Sequence, residues 1–121
     1  MNERVRAVRG AISVDEDTSE AIRTATAELL SAVIERNALE VDDLVSIVFT
    51  STEDLAADFP AVAAREMGLS AVPLLCTREI PVVGSLPRCV RVLVHCYAPA
   101  DRTIRHVYLR DARQLRTDLP E

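Results

Sequence analysis

The segment from Cys89 to Tyr97, CVRVLVHCY, constrains this chain more than any other. Its apolar run is nearly continuous, which predicts a strand buried on both faces, yet Arg91 interrupts it. An unpaired charge in such a strand is costly, so Arg91 requires an anion. Two anions fit the sequence. One is Glu79, as a salt-bridge partner in the core. The other is a ligand, with Arg91 and Glu79 both lining a pocket: the arginine meets an anionic or developing-anion oxygen, and the carboxylate accepts a hydroxyl hydrogen bond.

Around that strand, hydrophobic periodicity predicts four more strands and two helices. Arg4 to Val14 (RVRAVRGAISV) reads as a strand with a bend or bulge at Gly10. Arg9 shares alternation parity with Val5 and Ala7, so it projects from the side carrying small apolar residues and needs a partner or ligand there. Asp17 and Glu20 resemble a capping box opening a helix. Its buried face is Ile22, Ala25, Leu29, Leu30, Val33 and Ile34, with Asn37 as a left-handed cap. Leu44 to Ser51 forms a second strand, with Val45, Ile47 and Phe49 on one side. Pro60 to Met67 is a short helix stopped by Gly68. Ala71 to Thr77 is an edge or bulged strand because of Pro73, and Ile104 to Arg110 is the last strand. The order β-α-β-α-β-β-β predicts an α/β (α+β) fold, a mixed sheet with two helices on one face. The other face still carries apolar residues, which points to contact with other subunits.

The 121 residues provide a single domain, 1–121, with 113–121 expected to be a mobile C-terminal tail. All 14 basic residues are arginine, so Schiff-base and P-loop lysine chemistry is excluded and anion binding falls to arginine. Residues 1–60 carry 5 arginines against 13 acids and residues 61–121 carry 9 against 6, which places a small-anion site in the later half. A net charge of −5 with 3% aromatics argues against nucleic acid, and no apolar run is long enough to span a membrane. Cys76, Cys89 and Cys96, without a secretory leader, predict free thiols in a cytoplasmic setting. Their spacing is not that of a zinc site, and no metal or cofactor is expected.

Three further positions have chemical potential. Cys76 can be a nucleophile, a weak donor or simply a small buried hydrophobe, and as a nucleophile it needs a histidine base. Tyr108 offers a phenol or core packing. Arg116, like Arg113, reads as tail surface or as an anion contact.

Taken together, VRGAISVDEDT, FPAVAAREMG, VPLLCTREIPV, LPRCVRVLV and IRHVYLRDARQLRTDL resemble the AroH-class, Bacillus-type, chorismate mutases over almost the whole chain. The resemblance implies a trimeric pseudo-barrel with active sites between subunits. It implies a cofactor-free Claisen rearrangement of chorismate to prephenate, on the way to phenylalanine and tyrosine. By position, Arg9 and Tyr108 would contact a substrate carboxylate, Glu79 and Cys76 the ring hydroxyl region, and Arg91 the ether oxygen and side-chain carboxylate. Phe59, Ala61 and Leu74 would form a wall from the neighbouring subunit, with Arg65 near the entrance and Leu115 and Arg116 closing over the ligand. Val62 and Leu75 depart from the pattern, standing where a lysine and a threonine are common. Two alternatives share a trimeric, carboxylate-holding architecture: an imine deaminase, whose motifs are missing here, and a non-catalytic metabolite-binding trimer.

Overall fold

The computed structural model describes residues 2–116. The chain runs β1 (Glu3–Ser13), α1 (Ser19–Arg36), a 3-10 turn (Val41–Asp43), β2 (Leu44–Ser51), α2 (Ala61–Glu66), β3 (Leu74–Arg78), β4 (Cys89–Pro99), β5 (Val107–Leu109) and a second 3-10 turn (Arg110–Leu115). The strands form one mixed sheet in the order β3-β2-β4-β1-β5. Strand β4 is central and antiparallel to both β1 and β2, while β3 and β5 pair in parallel at the edges. Pro73 immediately precedes edge strand β3, where its missing N–H is harmless, and its carbonyl accepts the Ile47 amide at 3.0 Å.

Both helices cover one face. Val8 and Ile12 of β1, Ile47 and Phe49 of β2, and Val90, Val92 and Val94 of β4 meet Ile22, Leu29, Leu30 and Val33 of α1 in one core. Full burial of side chains such as Phe49 and Leu29 stabilises the fold by about 1.5–3 kcal/mol each. The other face carries Arg9, Ala11, Arg91, Leu93, Val48 and Thr50 without helix cover, as the strand registers require.

Several sequence expectations are corrected. Strand β1 runs through Gly10 without a bulge; the glycine is there because a Cβ would lie 3.0 Å from Leu29 Cδ1 and 3.3 Å from the Val107 carbonyl. The cap of α1 is Thr18, whose hydroxyl accepts the Ala21 amide, while Asp17 accepts the amides of Ala56 and Ala57. The left-handed residue after α1 is Ala38 (φ 51°), and Asn37 at φ −108° instead uses its buried amide to bind Val33 and Arg105 carbonyls. Strand β2 buries Ile47 and Phe49 but exposes Val45, at a register irregularity between Leu44 and Ser46. Gly68 adopts φ 88° and closes α2 as expected, with the Leu69 amide reaching the Ala64 carbonyl. Strand β4 alternates rather than being buried throughout: Val90 to Ala98 are buried at even positions, and Arg91, Leu93 and His95 are half-buried. The last strand shortens to Val107–Leu109. Of the expected tail, Arg113–Leu115 belong to the second 3-10 turn, and 117–121 lie outside the described residues. No helix among the described residues is long and apolar enough to cross a membrane.

Candidate active site

The helix-free face is hollowed over β4 and β1 into a cleft of about 500 Å³, lined by Arg9, Thr50, Glu79, Arg91, Tyr108, Leu115 and Arg116 among others. The sheet registers explain why these residues meet. Arg91 pairs with Ala11 on one side and Thr50 on the other, and Ala11 pairs with Tyr108, so these four side chains share a face. Arg9 is two residues before Ala11 and shares that face. Glu79 follows β3, its amide bonded to the Ser51 carbonyl at 3.0 Å.

Glu79 is fixed by two contacts. The Thr50 hydroxyl donates to its Oε2, and Arg91 Nε lies 3.6 Å from the same oxygen. Arg91 and Glu79 are therefore both a salt bridge and a pair of cleft walls. The two alternatives left open by the sequence are not exclusive. The Arg91 Nε atom is buried, yet among the described residues it has no hydrogen-bond partner. A buried donor of this kind on a residue that lines a cleft calls for an acceptor.

Side-chain hydrogen bonds fix the backbone leading to Arg91. The Asp54 carboxylate accepts the Arg88 amide at 3.0 Å and the Thr52 hydroxyl at 2.5 Å, and the Thr52 oxygen accepts the Cys89 amide at 3.0 Å. These bonds satisfy the amides of Arg88 and Cys89, three and two residues before Arg91, where the chain enters β4. Arg110, at φ 54°, begins the turn that carries Leu115 and Arg116 to the cleft; its guanidinium binds Glu28 at 2.9 Å, and the next amide binds the Ser13 hydroxyl. Beneath the cleft, Cys89 packs with Ala11 and Ala112. Burial pushes its thiol up to about 11, against the opposing pull of Arg91, so it stays protonated and inert.

A second groove lies apart from the first and contains Leu55, Asp58, Phe59, Pro60, Cys76 and Arg78 among its walls. Cys76 pairs with buried Phe49, so it faces away from Glu79 and the two do not meet within one chain. Ala61 is buried at the start of α2, Leu74 is half-buried, and Arg65 is exposed. Arg78 Nη1 donates to the carbonyls of Thr52 and Leu55 at 2.8 and 2.7 Å and holds the loop leading to Phe59. A hydrogen bond from Ser19 and the Phe59 amide, helped by Arg23 and Arg65, holds the Asp58 carboxyl below its usual range. Cys76 has no histidine base among the described residues: His95 contacts Ser46, and His106 Nδ1 accepts the Arg9 amide at 2.9 Å.

The sequence reading missed Thr50. Its parity with Ser46 and Val48, opposite to Ile47 and Phe49, is a signal in the sequence, but only the β2–β4 register shows that it faces Arg91.

The cleft therefore offers three guanidiniums, one oriented carboxylate and a phenol to a compact anionic ligand. The comparisons agree with that chemistry. The family model for chorismate mutase type I matches residues 5–119. The chain is similar to chorismate mutase AroH of Thermus thermophilus, at 54% identity over 95% of this chain and 96% of that protein. It is also similar to chorismate mutase AroH of Bacillus subtilis, at 43% identity over 95% of this chain and 92% of that one. Among solved structures, a chorismate mutase from Clostridium thermocellum superposes with a TM-score of 0.86 at 46% identity, covering 91% of this chain and 99% of the other. With motif blocks, fold and cleft all in agreement, the chain belongs to the chorismate mutase type I family.

Proposed function

We propose that this chain converts chorismate to prephenate at clefts shared between the subunits of a homotrimer in the cytoplasm. The observation that carries the reading is the Nε of Arg91, without a hydrogen-bond partner among the described residues and buried at the wall of an arginine-rich cleft beside an oriented Glu79.

A Claisen rearrangement breaks a carbon–oxygen bond and forms a carbon–carbon bond within one molecule, with no proton transfer and no covalent intermediate. The protein must hold the compact conformer and stabilise the charge that grows on the ether oxygen. In this reading Arg91 donates to that oxygen and to the side-chain carboxylate. Glu79, oriented by Thr50, accepts the ring hydroxyl. Arg9 and Tyr108 hold a carboxylate, and Leu115 and Arg116 close over the ligand.

Phe59 and Cys76 lie in the other groove, so they reach such a ligand only from a neighbouring copy. The neighbour would bring Ala61 and Leu74 with them, and Arg65 to the entrance. Exposed Val5, Leu75 and Tyr97 on the helix-free face supply apolar surface for that contact. With Val62 at the rim in place of a cation, capture of the dianion rests on Arg9, Arg91 and Arg116. The free state of all three cysteines suits a reducing compartment.

The test is the decay of chorismate's ultraviolet absorbance on adding purified protein, with identification of the product. Stoichiometric prephenate is expected. A folded trimer that binds chorismate without converting it would replace this reading with that of a metabolite binder. A trimer that ignores chorismate but hydrolyses an imine would replace it with that of a deaminase.

A further inference from the structure

Strand β5 pairs with β1 only from Gly10–Val107 onward, so the Arg9 amide lies just beyond the backbone ladder. The ring of His106 takes the missing place, with Nδ1 accepting that amide at 2.9 Å. An N–H donates only to a ring nitrogen with a free lone pair, so Nδ1 is unprotonated and the proton of the neutral ring sits on Nε2. This bond clamps β1 to β5 at one point, with a cleft residue on each side. Arg9 is the residue whose amide is held, and Tyr108 is two positions after His106 on the other strand.

We propose that His106 is a positioning residue: its neutral ring sets Arg9 and Tyr108 in the cleft, and protonation of Nδ1 releases them. A proton on Nδ1 would point at the Arg9 N–H, turning an acceptor into a second donor. The bond cannot survive that change. The charged groups acting on the ring are Arg9 from β1 and Arg116 from beyond the last 3-10 turn, and no carboxylate among the described residues acts on it. Burial first, and then these two cations, hold the His106 pKa below its ordinary 6.5, which keeps the clamp closed at neutral pH. The sign follows. Above pH 6.5 the ring is neutral in folded and unfolded chains alike and the clamp contributes fully; as pH falls toward the lowered folded value, its contribution is lost.

The inference rests on the reading that Arg9 and Tyr108 hold the substrate. Its test is kcat and KM for chorismate between about pH 5 and 8 for the wild type, H106N and H106Q, with folding checked by circular dichroism. Asparagine offers an acceptor near the Nδ1 position and does not titrate, whereas glutamine carries its amide one bond further out. The wild type should lose kcat/KM on the acid side of pH 6.5, mainly through KM. H106N should stay within about threefold of it at neutral pH and lack that acid limb, whereas H106Q should lose about tenfold, the effect of one hydrogen bond. Equal activities for the two variants, or an acid limb unchanged in H106N, would overturn the proposal while chorismate turnover by the wild type stands. A wild-type protein inert toward chorismate would instead remove the functional reading and this inference together.

Discussion

Replacing Arg91 with alanine tests the electrostatic core of the proposed reaction. The guanidinium is held by β4 at the centre of the sheet, with its Nε buried, 3.6 Å from Glu79 and without a hydrogen-bond partner among the described residues. Suppose that roughly half an electron develops on the ether oxygen about 3 Å from this cation; at an effective dielectric constant of about 20 the attraction is about 2.8 kcal/mol. Loss of a single oxyanion donor in other enzymes costs about 2.7–4 kcal/mol, so two independent routes converge on a drop in kcat of about 100-fold or more. The substitution also leaves the Glu79 carboxylate without its nearest cation in a cleft meant for a dianion, so KM should rise as well. Both effects are read from initial rates of chorismate consumption, with circular dichroism confirming the fold. Arg91→Lys restores the charge without the planar fork and should fall between the two. A folded Arg91→Ala protein within about fivefold of wild-type kcat would refute the reasoning, because no term of this size would then act at the ether oxygen.

Other outcomes follow from the same geometry. Gly10→Ala should destabilise the fold by about 1–3 kcal/mol and lower Tm, because the new methyl meets Leu29, Val92 and the Val107 carbonyl at 3.0, 3.1 and 3.3 Å; an unchanged melting curve would show that β5 yields freely. Arg116→Ala should raise KM more than it lowers kcat, since a residue closing over the ligand chiefly captures it, and equal losses would place Arg116 in the chemistry. If clefts are shared between copies, refolding Arg91→Ala chains together with Phe59→Arg chains should restore activity that neither has alone, through clefts combining one intact half from each. Activity no greater than the sum of the separate variants would put the whole site within one chain.

Much of the fold is legible because its core obeys simple periods. The three- and four-residue spacing from Ile22 to Val33 has only one sensible burial, and Pro60 with Gly68 brackets α2 by backbone geometry alone. Legibility fails where a residue's job depends on something distant in sequence. Asp17 has the chemistry of a helix cap, but the amides of Ala56 and Ala57 claim it, and Thr18 caps instead. Gly10 reads as a bulge, yet its reason is the side chain of Leu29 and the carbonyl of Val107 from other elements. Thr50 and His106 are unremarkable in sequence; one acquires its role through the β2–β4 register and the other through the end of the β1–β5 ladder.

Strand β4 and Cys76 differ from what their sequence suggests for a common reason. Cys89 to Tyr97 looks buried on both faces, but a single chain leaves Leu93 and His95 half-covered and Tyr97 exposed. Cys76 and Glu79, three apart, look like neighbours in function, yet Glu79 continues the line of β3 just past its end, and along extended chain an odd separation puts two side chains on opposite faces. The structure has that arrangement, with Cys76 in the Phe59 groove and Glu79 in the arginine cleft. The two observations have one explanation if the apolar face of β4 and the Phe59 groove belong to different copies in contact. On the proposed reading, the burial pattern of β4 fits a chain that works in an assembly, and period-2 arithmetic on Cys76 and Glu79 supports the proposed second subunit at each cleft.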